Sequence, residues 1–189
     1  MLFKLLLSKL EEKEKIIIFT NTENSCNYIS KELNILKYYS KLENKTEILQ
    51  DYLTNNNTKA LVSTNALGVG LDYSSIRYSI HPYKVNTLIN LDQEIGRIGR
   101  DQKPSIAYIL VNLNNYYYKS NKDNSNPLSL EYLIIEDNNK LVDFIKEQKC
   151  YRIILDSYFN NKITSYCLEP NTLCSLCLNR NNILEKAKD

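Results

Sequence analysis

The run Asp92-Gln93-Glu94-Ile95-Gly96-Arg97-Ile98-Gly99-Arg100-Asp101 carries one amide and two guanidiniums at i, i+4 and i+7. On a helix that spacing puts Gln93, Arg97 and Arg100 on one face. Such a face suits a polyphosphate, because each guanidinium has a permanent charge and a planar fork of donors. Gly96 and Gly99 each cost a helix about 1 kcal/mol, so something is expected to approach that backbone closely. The plainer alternative is a solvated basic face near a helix C-terminus, where the macrodipole favours cations.

Two more groups of residues can do chemistry. Ala60-Leu61-Val62-Ser63 reads as a buried strand that delivers Thr64, Asn65, Gly68, Gly70 and Asp72 onto a loop. Open parallel sheets place their ligands at that carboxyl edge, and both arginines are expected to face it as well. There Thr64 and Asn65 can bond phosphate or sugar, and Asp72 can accept from a ribose hydroxyl. A turn with left-handed glycines and capping side chains explains the same residues. Cys150, Cys167, Cys174 and Cys177 are separated by 16, 6 and 2 residues. Four thiolates make a closed tetrahedral zinc site, structural because no position stays open for water. Unrelated thiols, or disulfides in a secreted chain, are the alternatives. Cys26 reads as core, and His81 as a packed or hydrogen-bonded residue at a strand end. Tyr116-Tyr117-Tyr118 can stack on bases, but a strand end in a chain with 15 tyrosines is the stronger reading.

These groups need elements to position them. Leu2, Leu5, Leu6, Lys9 and Leu10 recur at helical spacing over residues 1–13, and Lys15–Thr20 is a β-branched apolar run. Thr22 can cap a helix over Glu23–Leu36, with strand Leu36–Ser40 and helix Lys45–Leu53 next. Strand Lys59–Ser63, strand Ile76–His81, helix Asn86–Gly96 and strand Ser105–Val111 complete the alternation. That order predicts an α/β domain: a parallel sheet covered on both faces. Asn112–Pro127 reads as a polar connection, followed by helical periods over Leu128–Lys149 and Tyr151–Phe159. The expected division is 1–118 and a small α-helical, cysteine-bearing module at 119–189.

Composition narrows the partners only a little. The 189 residues balance 24 Lys and Arg against 22 Asp and Glu, so a formal charge of +2 gives no warrant for nucleic acid. Apolar runs are far shorter than the roughly 20 residues of a membrane span, and Glu11–Glu14 follow the first apolar stretch where a secretory cleavage site would be. The abundance of Asn, Lys, Ile and Tyr reads as AT-rich nucleotide bias, which erodes motifs without new chemistry.

In this order and at this separation, the motifs resemble motifs V and VI of superfamily 2 helicases, and in detail the RecQ family of DNA helicases. Val62-Ser63-Thr64-Asn65-Ala66-Leu67-Gly68-Val69-Gly70, Ile76-Arg77-Tyr78-Ser79-Ile80-His81 and Gln93 to Asp101 carry the resemblance. Ile16-Ile17-Ile18-Phe19-Thr20 is similar to motif IV, and Cys150-Tyr151-Arg152 with Tyr158-Phe159 to that family's zinc subdomain. The resemblance implies a second RecA-like domain followed by the zinc-binding subdomain. It implies that Arg97 and Arg100 reach ATP held mainly by a preceding domain, with Arg100 as the arginine finger. It further implies that Gln93 senses the γ-phosphate, that Asp72, Gly68 and Gly70 lie against the nucleotide, and that Thr64 and Asn65 hold single-strand phosphates. Zinc on the four cysteines is the expected cofactor. ATP and magnesium are expected only with a first RecA-like domain in cis or trans, because the sequence contains no G-x-x-x-x-G-K-[ST].

The expected function is therefore the C-terminal motor half of an ATP-dependent 3′–5′ DNA helicase acting in unwinding, recombination and repair on single-stranded or branched DNA. Alone, the chain is expected to be inactive: a fragment, a split gene product or a decayed copy. Its expected location is intracellular, nuclear in a eukaryote. The competing class is a non-catalytic, zinc-stabilised module binding DNA or protein, and a third is half of an RNA helicase. Tyr39 and Lys41 depart from the family's His and Gly, Val85 from its Pro, and Leu91 from its Tyr.

Overall fold

The computed structural model describes residues 2–67, 74–83, 85–115, 130–146, 150–159, 167 and 174–179, without the side chains of 130–133. Gly68, Gly70, Asp72 and Tyr116–Tyr118 lie outside the described residues. The chain falls into two compact units, one of residues 1–85 and 89–111, the other of 86–88 and 112–189.

The first unit runs α1 (Leu2–Leu7), β1 (Lys15–Thr20), α2 (Glu23–Leu33), β2 (Leu36–Tyr38), α3 (Lys45–Thr54), β3 (Ala60–Thr64), β4 (Ile76–His81), α4 (Leu88–Ile95) and β5 (Ile106–Ile109). The five strands form one sheet in the order β2-β3-β1-β4-β5, and every pairing is parallel. β1 lies at the centre and is buried along its whole length. Its alternate side chains serve two cores, as a strand covered on both faces requires. Ile16 and Ile18 pack with Phe3, Leu6, Cys26, Val62 and Ile80 on one side. Ile17 and Phe19 pack with Tyr52, Leu61, Leu67, Ile76 and Ile98 on the other. Cys26 is core, as its helical spacing indicated.

α2 begins where Thr22 was expected to cap it: the Thr22 hydroxyl accepts from the Ser25 N–H at 3.1 Å. It stops at Leu33, three residues earlier than its periodicity suggested. Asn34 turns left-handed (φ 52°), and its N–H closes back on the Ser30 carbonyl, a conformation Asn tolerates better than most residues.

The second unit holds α5 (Leu130–Ile145) and α6 (Tyr151–Phe159). Leu141, Val142, Phe144, Ile145 and Ile154 are the buried aliphatic and aromatic residues of α5 and α6 among those described. Phe144 stacks on Tyr151 with ring centres 4.6 Å apart, and the Tyr158 hydroxyl donates to Asp137. Among the described residues no helix is long and apolar enough to cross a membrane.

Candidate functional site

Gln93, exposed, sits on α4, but the helix does not carry all three phosphate candidates. After Ile95 the backbone tightens: Arg97 N–H bonds Glu94 O at 3.3 Å, and Ile98 N–H bonds Ile95 O at 3.2 Å. Gly99 then turns left-handed (φ 66°), and its N–H bonds Ile76 O at 3.1 Å. A turn, rather than a continuous helical face, therefore carries Arg100. Arg100 Nε donates back to Gly96 O at 3.3 Å. Burial first, and the Arg100 charge second, hold the Arg97 pKa below its ordinary value, with Glu94 pulling the other way.

The approach expected at the glycines comes from within the chain. A Cβ on Gly99 would lie 2.4 Å from Ser105 Oγ. No side chain fits there, whatever the ligand. At Gly96 a Cβ would sit 3.1 Å from Asp92 O.

The expected facing of both arginines toward the carboxyl edge is corrected for Arg100. Gly99 is bonded to the first residue of β4, and the Asp101 carboxylate to Arg77, the second. A crossover helix between parallel strands must run back toward their amino ends, so the loop after α4 emerges there. Thr64 and Asn65 remain at the carboxyl end of β3, Thr64 half-buried and Asn65 exposed in a turn of 3-10 helix, Asn65–Leu67. The Thr64 hydroxyl accepts from the Ala66 N–H at 3.4 Å. The strand-phosphate candidates and the Arg100 backbone therefore occupy opposite ends of the sheet.

His81 is buried and fully engaged, as read. Its Nδ1 lies 3.0 Å from Glu94 Oε2, its Nε2 3.0 Å from Ser79 Oγ, and its ring stacks on Phe19. Arg77, which motif reading passed over as one residue of a strand, is only 6% exposed. It donates to Glu14 at 2.8 Å and bidentately to Asp101. A charged residue opening an apolar strand was the available signal.

The cysteines converge. The sulfurs of Cys150, Cys167, Cys174 and Cys177 all lie within 4.8 Å of one another. Cys150 is 3.5 Å from Cys167 and 3.8 Å from Cys174, and all are free thiols. Zinc–sulfur bonds of about 2.3 Å in a tetrahedron imply edges of about 3.8 Å, so four sulfurs at this spacing suit a metal ion. Cys150 immediately precedes α6, and Cys174 precedes a helical turn at 175–179; helix N-termini favour thiolates. Burial would raise the Cys150 thiol, but donors from Ile153, Cys167 and Arg152 outweigh it and lower its pKa to about 7. Cys177 goes the other way, pushed up to about 12 by burial and the neighbouring thiols. Four convergent sulfurs, one of them with a lowered pKa, are a donor set that a cation completes.

The profile of the helicase conserved C-terminal domain matches residues 1–102. This chain belongs to that family. Helicases named RecQ or RecS are similar to it at 25–42% identity, the 42% over 39% of this chain, and support a RecQ-type helicase C-terminal domain. The RecQ of Pasteurella multocida is 26% identical over 172 residues, 86% of this chain and 26% of its own. A protein of Acanthamoeba polyphaga mimivirus named as an ATP-dependent RNA helicase is 27% identical over 174 residues, 86% of this chain and 31% of its own. The chain thus spans less than a third of either relative. In fold it is similar to the Escherichia coli DEAD-box protein SrmB bound to the regulator RraA, at TM-score 0.50 and 19% identity over 60% of this chain and 71% of that one. The RecA-like sheet expected from the motifs is thus present, and the Cys cluster suits a zinc subdomain in this helicase C-terminal domain.

Proposed function

We propose that this chain is the second motor lobe of a RecQ-like, ATP-dependent 3′–5′ DNA helicase. Alone it neither turns over ATP appreciably nor unwinds DNA. The observation that supports this most is the profile match over residues 1–102, which takes in the run holding Gln93, Arg97 and Arg100. Burial first and the Arg100 charge second lower the Arg97 pKa, and a bound anion favours the charged form of such a group. A first lobe with a phosphate-cradling loop would bring ATP and magnesium, whose phosphoryl transfer is the chemistry used. Toward it this chain contributes Arg100 as finger, Arg97 as second guanidinium and Gln93 as γ-phosphate sensor, while Gly68, Gly70 and Asp72 line the nucleotide. Thr64 and Asn65, at the carboxyl end of β3, hold strand phosphates, which position the strand without reading its sequence.

Zinc on Cys150, Cys167, Cys174 and Cys177 staples the second unit, in a reducing, intracellular setting. The mimivirus relative favours a second reading, in which the strand is RNA; the four-cysteine set favours DNA.

Mixing the chain with a Walker-type lobe tests the proposal. Turnover stimulated by single-stranded DNA should appear, and Arg100→Ala should lower it about 10³-fold or more. Stimulation by RNA alone would select the second reading. Salt-dependent strand binding with no turnover would make the chain a binding module instead.

A further inference from the structure

The stretch from Glu94 to Asp101 is fastened at both ends to the same strand. At one end the Glu94 carboxylate meets His81 at the close of β4, and His81 is itself held by Ser79 and by the Phe19 ring. At the other end Arg77, near the start of β4, grips both oxygens of Asp101 while Glu14 and the Ser74 carbonyl each accept another of its N–H donors. The Gly99 N–H adds a backbone bond to Ile76. Arg97 and Arg100 lie between these fastenings.

The pairing at Asp101 has a second consequence. Asp101 is the immediate neighbour of Arg100, and a free carboxylate there would compete for that guanidinium. The fork from Arg77 occupies both of its oxygens, which is the stronger geometry available to a carboxylate. The Asp101 pKa is lowered accordingly, chiefly by its hydrogen bonds from Arg77.

We propose that Arg77 is a positioning residue for the arginine pair. It fixes the end of the finger loop through Asp101, and it keeps Asp101 from masking Arg100. His81 with Glu94 anchors the opposite end. The inference deepens the motor reading and rests on it for its catalytic consequence, but the fastening belongs to this chain alone. A displacement of about 1 Å at such a group can lower a rate about 10²-fold.

Two measurements on the full chain test it. Amide hydrogen exchange of the isolated chain should show residues 96–101 exchanging about tenfold faster in Arg77→Lys, which keeps the buried charge but cannot fork, while β1 amides keep their protection. Unchanged exchange at 96–101 overturns the fastening whether or not the chain is half a motor. With a Walker-type lobe present, Arg77→Lys should lower kcat at least tenfold and leave KM for ATP within about twofold. Arg77→Ala should lower kcat about 10²-fold, and adding Asp101→Asn to it should recover several-fold, because the masking carboxylate is gone. A double variant no faster than Arg77→Ala, or a kcat unaffected by either single variant, sinks the proposal. If the native chain supports no turnover, the motor reading fails, and the exchange measurement still decides the fastening.

Discussion

The two units achieve order in opposite ways. In the first, a central strand feeds two apolar cores, with Ile16 and Ile18 on one face and Ile17 and Phe19 on the other. Its stability is spread over many buried side chains. In the second, three of the four converging cysteines are buried and form a cluster of their own, beside a short set of apolar residues on α5 and α6. Among the described residues its buried apolar groups are few, and a small segment of that kind gains most from whatever holds its sulfurs together. The lesson is one of concentration: loss of the proposed zinc would remove the order of the second unit, whereas no single side chain carries the first.

Removing the proposed zinc breaks the comparison most sharply. A structural zinc contributes about 10 kcal/mol or more to a small domain. Chelation, or Cys177→Ser, should abolish the second unit's folded signal while leaving the parallel sheet intact. Far-UV circular dichroism should lose the α5 and α6 contribution, and exchange protection over 15–20 and 60–64 should persist. Metal-free protein with an unchanged spectrum would show that the sulfurs are packed thiols.

The converse experiment sits in the sheet. Leu61 is fully buried beside Ile17 and Tyr52, so Leu61→Ala should cost about 2–5 kcal/mol. Urea unfolding should show the loss in the first unit's transition alone, with zinc still bound at one equivalent. A simultaneous loss of metal would mean the two units are not energetically separate.

Much of this was legible in the residues, for reasons that differ by element. β1 declared itself because a run of Ile with no polar alternation fits a strand covered on both faces. The four cysteines converged because metal-compatible spacing is a property of the chain itself. What the sequence hid was tertiary. Gln93, Arg97 and Arg100 fit one helical face by count, yet the left-handed Gly99 ends that geometry, and its N–H bonds Ile76 O, a tertiary contact that no spacing encodes. The placement of the Arg100 backbone at the amino end was within reach, because a crossover helix must return there; attention to the carboxyl edge obscured it. Arg77 looked like one more strand residue until Glu14 and Asp101 were brought to it.

The smallest effect sharpens the contrast by its modesty. Thr22 caps α2 through one hydroxyl, which accepts from the Ser25 N–H at 3.1 Å and donates to Ser25 Oγ at 2.9 Å. Thr22→Ala leaves that N–H to water and should cost about 1 kcal/mol, lowering the first unit's Tm by roughly 4 °C. Thr22→Ser keeps the acceptor and should restore most of the shift. Because the cap is one of many small contributions to a distributed core, its loss should move the transition without broadening it. A loss confined to α2, seen as local exchange with an unshifted Tm, would instead mean that the first unit is less cooperative than its two shared cores imply.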